Sequence, residues 1–204
     1  MKVAAVTITY NRIDLTKFTV ESFYSKTNVD RHVFVDNGSI DGTQEWLKSH
    51  YDHILLPENI GITDAFVMAA SQLYDYDFIL KLDNDIETVT DDIMAKILKF
   101  YELNGLKYVV SPVDLNLDHN YAPHSTGKDN LNGFNVSYVS HTGGAFQVIP
   151  IEICKKLIED YRHFKLGDQA IGGFYKQNGY KPVYLLDLEM KHIGLNQTSN
   201  NYIL

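Results

Sequence analysis

The sequence predicts an α/β domain: a central, mainly parallel sheet flanked by helices. Three observations point there. Short β-branched and apolar runs alternate with helix-period patterns through the first half of the chain, the order that builds βαβ units. The chain has 204 residues and 45% apolar content, enough for one large core. No linker-like stretch or internal repeat divides it, so residues 1–204 read as one domain with two functional halves, 1–90 and 91–204.

Each element has its own local reason. Lys2 to Thr9 is an unbroken apolar and β-branched run, hence a strand, and Asp14 stands where an N-cap opens a helix through Phe18 and Phe23. His32 to Asp36 is the next strand, stopped by the turn residues Asn37-Gly38-Ser39. A short helix around Gln44 to Lys48 and a strand at His53 to Leu56 follow. Ile62, Ala65, Phe66, Ala69, Ala70 and Leu73 recur at helical spacing and predict a helix over 63–74. Phe78 to Leu82 is a strand, Asp91 or Asp92 caps a helix carrying Ile93, Ile97, Leu98 and Tyr101, and Tyr108 to Val113 is a further strand.

The second half is less regular. Residues 114–135, rich in Asn, Asp, His and Gly, read as a long loop or a pair of weakly patterned strands. Strands at 136–139 and 145–149 flank His141-Thr142-Gly143-Gly144. Helices are expected at 151–161 and 169–178 and a strand at 183–186, and the polar tail 196–204 reads as a lid.

Composition excludes several function classes. A net charge of -8, with arginine only at positions 12, 31 and 162, argues against a nucleic-acid-binding face. The single cysteine, Cys154, rules out an intrachain disulfide and fits a reducing compartment. No apolar run approaches the ~18–20 residues that span a bilayer, so no transmembrane segment is expected. A cytoplasmic location is the default expectation.

In parallel sheets ligands bind beyond the carboxyl ends of the strands. Here those ends are Tyr10-Asn11-Arg12, Asp36-Asn37-Gly38-Ser39, Pro57-Glu58-Asn59 and Asp83-Asn84-Asp85, all polar. Two carboxylates two residues apart can hold a hard divalent cation shared with a phosphate; alone, the same triplet is as readily a solvated acidic turn. Its place at a strand end favours the first. Competing phosphate motifs fail. Glu87 stands where an aspartate-nucleophile phosphatase has Thr or Val, Ala122 and Asp129 break the P-loop pattern around Gly127-Lys128, and Tyr10-Asn11-Arg12-Ile13 replaces a glycine-rich dinucleotide turn.

Taken together, Thr9-Tyr10-Asn11-Arg12, Asp36-Asn37-Gly38-Ser39 with Asp41-Gly42-Thr43, Glu58-Asn59-Ile60-Gly61 and Leu82-Asp83-Asn84-Asp85 resemble the family-2 glycosyltransferases of the GT-A fold. The likeness continues in Gly143-Gly144-Ala145-Phe146, in Gly167-Asp168-Gln169 ahead of Asn178-Gly179-Tyr180, and in His192 followed by Gly194. It implies a metal-dependent, inverting hexosyl- or deoxyhexosyltransferase that moves a sugar from a nucleotide-diphospho-sugar, a UDP-sugar by family habit, to a glycan hydroxyl.

The resemblance also implies roles. Thr9, Tyr10, Asn11 and Arg12 would line the nucleotide pocket, Asp36 would accept from a base imide N–H with Ser39 nearby, and Asn59 and Gly61 would flank the nucleotide. Asp83 and Asn84 would face the donor, and Asp85 with His192 would hold Mn or Mg. Gly143-Gly144 reads either as an ordinary turn or as a place where backbone, at Gly144, approaches the sugar. Asp168 would be the catalytic base, although its position also suits a helix N-cap. Gly167 and Ala170 stand where the family places further carboxylates. A non-catalytic nucleotide-sugar-binding module of a larger synthase is the alternative.

Overall fold

The computed structural model describes residues 1–116, 125–160 and 167–194, with backbone alone for 167–170. The tail expected as a lid lies outside these residues, as does the middle of the 114–135 segment. In chain order the elements are β1 (Val3–Thr9), α1 (Ile13–Lys26), β2 (Arg31–Asp36), α2 (Thr43–His50), β3 (Asp52–Leu55) and α3 (Ile62–Ala70). Then come β4 (Phe78–Leu82), β5 (Ile86–Thr88), α4 (Ile93–Asn104), β6 (Tyr108–Asp114), β7 (Ser125–Leu131) and β8 (Phe134–Val139). The chain continues through β9 (Phe146–Pro150), α5 (Ile151–Asp160), α6 (Gly167–Gln177) and β10 (Lys181–His192).

The strands form one sheet in the order β3-β2-β1-β4-β9-β6-β10-β8-β7, with β5 added against β10. The half built from β3, β2, β1 and β4 is parallel throughout. Beyond it, β9 runs antiparallel to both β4 and β6, and β10 is parallel to β6. Strands β1, β2, β3, β4, β6 and β10 therefore all point the same way. Their carboxyl ends share one edge, and the end of β10 joins those the sequence had already placed there.

β1 shows why its run is buried without a break. Val3 and Ala5 face Phe23 of α1 and Ile93, Ile97 and Phe100 of α4, whereas Ala4, Val6 and Ile8 face Ala65 and Phe66 of α3, Ile153 of α5 and Phe174 of α6. Successive side chains point to opposite faces, and both faces are covered. Cys154 is buried in the second of these layers, and burial pushes its thiol up to about 12, so it is an inert core residue.

Two elements escape the periodicity. β5 is three residues long, and β10 runs well past the expected 183–186. β10 carries a bulge between Leu185 and Glu189: Leu185 pairs with Pro112 and Glu189 with Val113 of β6. Past the bulge, β10 takes β5 as a second neighbour, matching Met190 to Thr88, Lys191 to Glu87 and His192 to Ile86. Of the 114–135 segment the described residues supply one strand, β7, which forms a hairpin with β8, the strand expected at 136–139, through Asn132 and Gly133, both with positive φ, as a tight turn requires.

Candidate active site

At the carboxyl edge of the parallel strands, three loops interlock through side chains. Asp36, fully buried, is the hub. Its Oδ2 accepts from Thr9 Oγ1 at 2.9 Å, and its Oδ1 accepts from the Gly38 and Ser39 amides at 3.1 and 2.8 Å and from Gln44 Nε2 at 2.9 Å. Three of the four donors converge on Oδ1 and one on Oδ2, so Oδ1 is saturated while Oδ2 keeps acceptor capacity. Asp36 thereby organises the turn from a buried position.

Ser39 Oγ then accepts from the Asn11 amide at 2.9 Å, and Asn11 Oδ1 accepts from the Ile40 amide at 2.8 Å, which locks the 10–12 turn to the 36–43 turn. Asn11 pays for this with a left-handed backbone, φ 49°. Asn37 Nδ2 donates to Asn59 Oδ1 at 2.8 Å, and that same oxygen accepts from the Gly61 amide at 2.9 Å, tying in the 58–61 loop. Gly38, at φ +85°, passes so close to Glu58 that a Cβ would lie 2.8 Å from its Cα. Tyr10 remains 39% exposed on this edge, an aromatic face open to a ligand.

The acidic turn after β4 is held from three sides. Asn84 turns inward and donates to Thr16 Oγ1 of α1 at 3.1 Å, so it anchors the turn and does not line the edge. Next along α1, Thr19 Oγ1 and Ser22 Oγ accept from the Ile86 and Thr88 amides at 2.9 and 2.7 Å. Helical spacing sets Thr16, Thr19 and Ser22 on one stripe, and the stripe serves β5 in place of a neighbouring strand. Asp83 is paired with Lys81, whose Nζ also donates to the Gly144 carbonyl at 2.6 Å. Lys81 thus joins the acidic turn to the Gly143-Gly144 loop. A lysine inside an otherwise apolar strand was the signal for it in the sequence.

Asp85 is 4% exposed and has two side-chain partners among the described residues. Its Oδ2 accepts from Arg12 Nη1 at 2.6 Å, and its Oδ1 lies 3.0 Å from His192 Nε2. Burial pushes the Asp85 carboxyl up, but the His192 hydrogen bond and the His192 and Arg12 charges outweigh it and hold the group below its usual range. The same hydrogen bond raises the His192 imidazole against its own burial. The β5–β10 ladder is what brings them together: it sets His192 opposite Ile86, and the Ile193 amide donates to the Asp85 carbonyl at 2.9 Å. Gly194 crosses directly over the carboxylate, where a Cβ would sit 2.0 Å from Oδ2.

A carboxylate and an imidazole meeting at a strand edge suit a divalent ion that takes its remaining ligands from a diphosphate. Among the described residues no third His, Cys, Asp or Glu completes a metal cluster. Asp85 and His192 would be the protein's share. Asp168 is placed in the first turn of α6, and its side chain is outside the described residues.

A sequence model of glycosyl transferase family 2 matches residues 4–156. The chain belongs to that family. None of the curated proteins matches this family-2 chain by sequence. Among solved structures it is similar to the mannosyltransferase PcManGT from Pyrobaculum calidifontis in complex with GDP-Man and Mn2+, at 18% identity and TM-score 0.71 over 97% of this chain and 58% of that one. It is also similar to GalNAc-T7 with UDP, GalNAc and Mn2+, at 13% identity and TM-score 0.73 over 94% and 43%. S. aureus TarS 1-349 in complex with UDP-GlcNAc matches at 16% identity and TM-score 0.67 over 98% and 62%. At such identities the likeness is one of fold, the GT-A fold, and the family-2 chain spans less than two thirds of each of these proteins. Among its described residues no helix is long and apolar enough to cross a membrane.

Proposed function

We propose that this family-2 domain transfers a sugar from a nucleotide-diphospho-sugar to an acceptor hydroxyl, with a divalent cation held by Asp85 and His192. The meeting of those two side chains at 3.0 Å, from turns far apart in the chain, is the observation that carries the reading. Support comes from the family itself and from fold neighbours whose structures contain GDP-Man, UDP or UDP-GlcNAc, two of them with Mn2+. Tyr10, with the interlocked turns of Thr9, Asn11, Asp36, Ser39, Asn59 and Gly61, would receive the nucleoside. A uridine nucleotide is the first donor to test.

Asp168 would take the proton of the acceptor hydroxyl as its oxygen bonds to the anomeric carbon. The bond from that carbon to the diphosphate oxygen breaks on the opposite face, so the configuration inverts. A bound Mn or Mg would supply Lewis-acid neutralisation of the charge on the leaving diphosphate. Arg12, 2.6 Å from Asp85, is placed to give up the carboxylate and take a phosphate oxygen. Lys81 holds Asp83 and the Gly144 backbone together, on what would be the sugar side of this site.

A second reading, a binding module without turnover, has one observation in its favour: Gly167 and Ala170 flank Asp168 where carboxylates would support it. One experiment addresses both. Thermal shift with UDP-, GDP- and TDP-sugars, with and without Mn, should show a raised melting temperature that needs both nucleotide and metal, and donor turnover should stop in EDTA. Binding without sugar release supports the module. Full turnover in chelator removes the metal from the proposal.

A further inference from the structure

His192 is the last residue of β10, and strand ends open at the lowest free-energy cost. On the β6 side it is not held by a ladder. Asp114 Oδ1 accepts the His192 amide at 3.0 Å, and the Asn116 amide donates to the same oxygen at 3.0 Å. Asn116 Nδ2 in turn donates to the His192 carbonyl at 3.1 Å, and the Leu115 amide to the Met190 carbonyl at 2.9 Å. Both backbone polar groups of His192 are therefore gripped by side chains of one short segment. Asp114 is 6% exposed, and its Oδ2 is buried with no hydrogen-bond partner among the described residues.

A buried carboxylate oxygen without a partner costs stability. The bond to the His192 amide does not explain that cost, because a neutral asparagine offers the same acceptor oxygen. A second negative charge behind a cation site does explain it. Groups just outside a metal's ligands orient those ligands and strengthen their hold on the ion, and losing one typically costs about 10–100-fold in affinity.

We propose that Asp114 and Asn116 are positioning residues of the cation site, a clasp that fixes His192 against Asp85 and adds charge from behind. The inference rests on the reading of Asp85 and His192 as cation ligands. The clasp acts on the backbone of His192, leaving the imidazole free to face the ion.

The test is Mn(II) binding by electron paramagnetic resonance in the presence of UDP, on the full chain and its variants. Asp114→Ala should raise the Mn(II) Kd about tenfold or more, Asp114→Asn should recover part of it, and Asn116→Ala should raise it about threefold. Reversible unfolding also raises the apparent Kd, by the inverse of the folded fraction, so circular dichroism measures that fraction for each variant and the Kd corrected for it separates positioning from mere stability. Should Asp114→Ala not fold, Asn116→Ala decides, since Asn116 lies on the exposed side of the clasp. If His192→Ala weakens Mn(II) binding while the Asp114 and Asn116 variants bind as the natural chain does, the clasp is overturned and the cation site stands. If His192→Ala also binds Mn(II) unchanged, the cation site falls and the clasp falls with it.

Discussion

Replacing Arg12 with Gln tests the electrostatics of the edge most directly. Arg12 Nη1 and Asp85 Oδ2 are 2.6 Å apart, with side chains 22% and 5% exposed. Removing one partner of a buried ion pair costs about 3–5 kcal/mol, and a hydrogen bond to a charged group is worth about 1.5–3. Asp85 keeps His192, and Arg12 keeps a wet face, so the lower range applies, about 2 kcal/mol. For a domain of this size that lowers the melting temperature by about 4–8 °C in metal-free buffer. Mn(II) would compete for the same oxygen, so removing Arg12 should tighten nucleotide-free Mn(II) binding by the same free energy, about 30-fold. The assay is thermal melting of both proteins in chelator and across a MnCl2 titration without nucleotide. The variant should begin less stable and gain more from Mn(II). An Arg12→Gln protein as stable as the natural chain in chelator, and no more responsive to Mn(II), would refute the reasoning.

Three further outcomes are expected. His32 is buried against Phe34 between Thr7 Oγ1 and Tyr24, and burial pushes its imidazole down to about 3. The unfolded chain takes a proton near pH 6.5 that the native state refuses, so this contribution is complete above pH 6.5 and is lost at about 1.4 kcal/mol per unit as pH falls toward 3. Urea melts at pH 7 and pH 5 should therefore show a His32→Phe variant losing about 2 kcal/mol less across that interval than the natural protein; equal losses would put the acid sensitivity elsewhere. Gly194→Ala drives a Cβ into Asp85 Oδ2; circular dichroism should stay native while calorimetry shows Mn(II) binding in the presence of UDP weakened at least about tenfold. Asp168→Asn should stop transfer in a donor-turnover assay and leave the donor-induced thermal shift intact, and normal turnover would remove the base assignment.

The parallel half of the sheet was legible because its cause is local. Val3 to Thr9 and Phe78 to Leu82 are apolar or β-branched, Lys81 excepted, because both faces are covered, and the turn after β2 is closed locally, by the Gly38 and Ser39 amides on Asp36. Such order also places Asp85 and Asp36 at one edge from the sequence alone. What those side chains do there was not legible. Asp36 and Asn84 read as ligand contacts; the structure adds that Asp36 Oδ1 ties the 36–44 turn together and that Asn84 donates to Thr16. Whether a polar group at a strand end meets water or protein depends on elements packed from elsewhere.

Sequence by itself determined the alternation of strands and helices, the polar edge and the family motifs, since each is written in neighbouring residues. Only the tertiary structure decided that His192 reaches Asp85. The decision lies in β5, three residues long and too short for a periodic signal, and in β10, whose pattern is broken at the bulge before Glu189. Their pairing is stabilised by backbone hydrogen bonds, which carry no residue code, and by the Thr19 and Ser22 hydroxyls of α1. The Asp114–Asn116 grip on His192 is of the same kind: two common polar residues whose meaning comes from the strand end beside them.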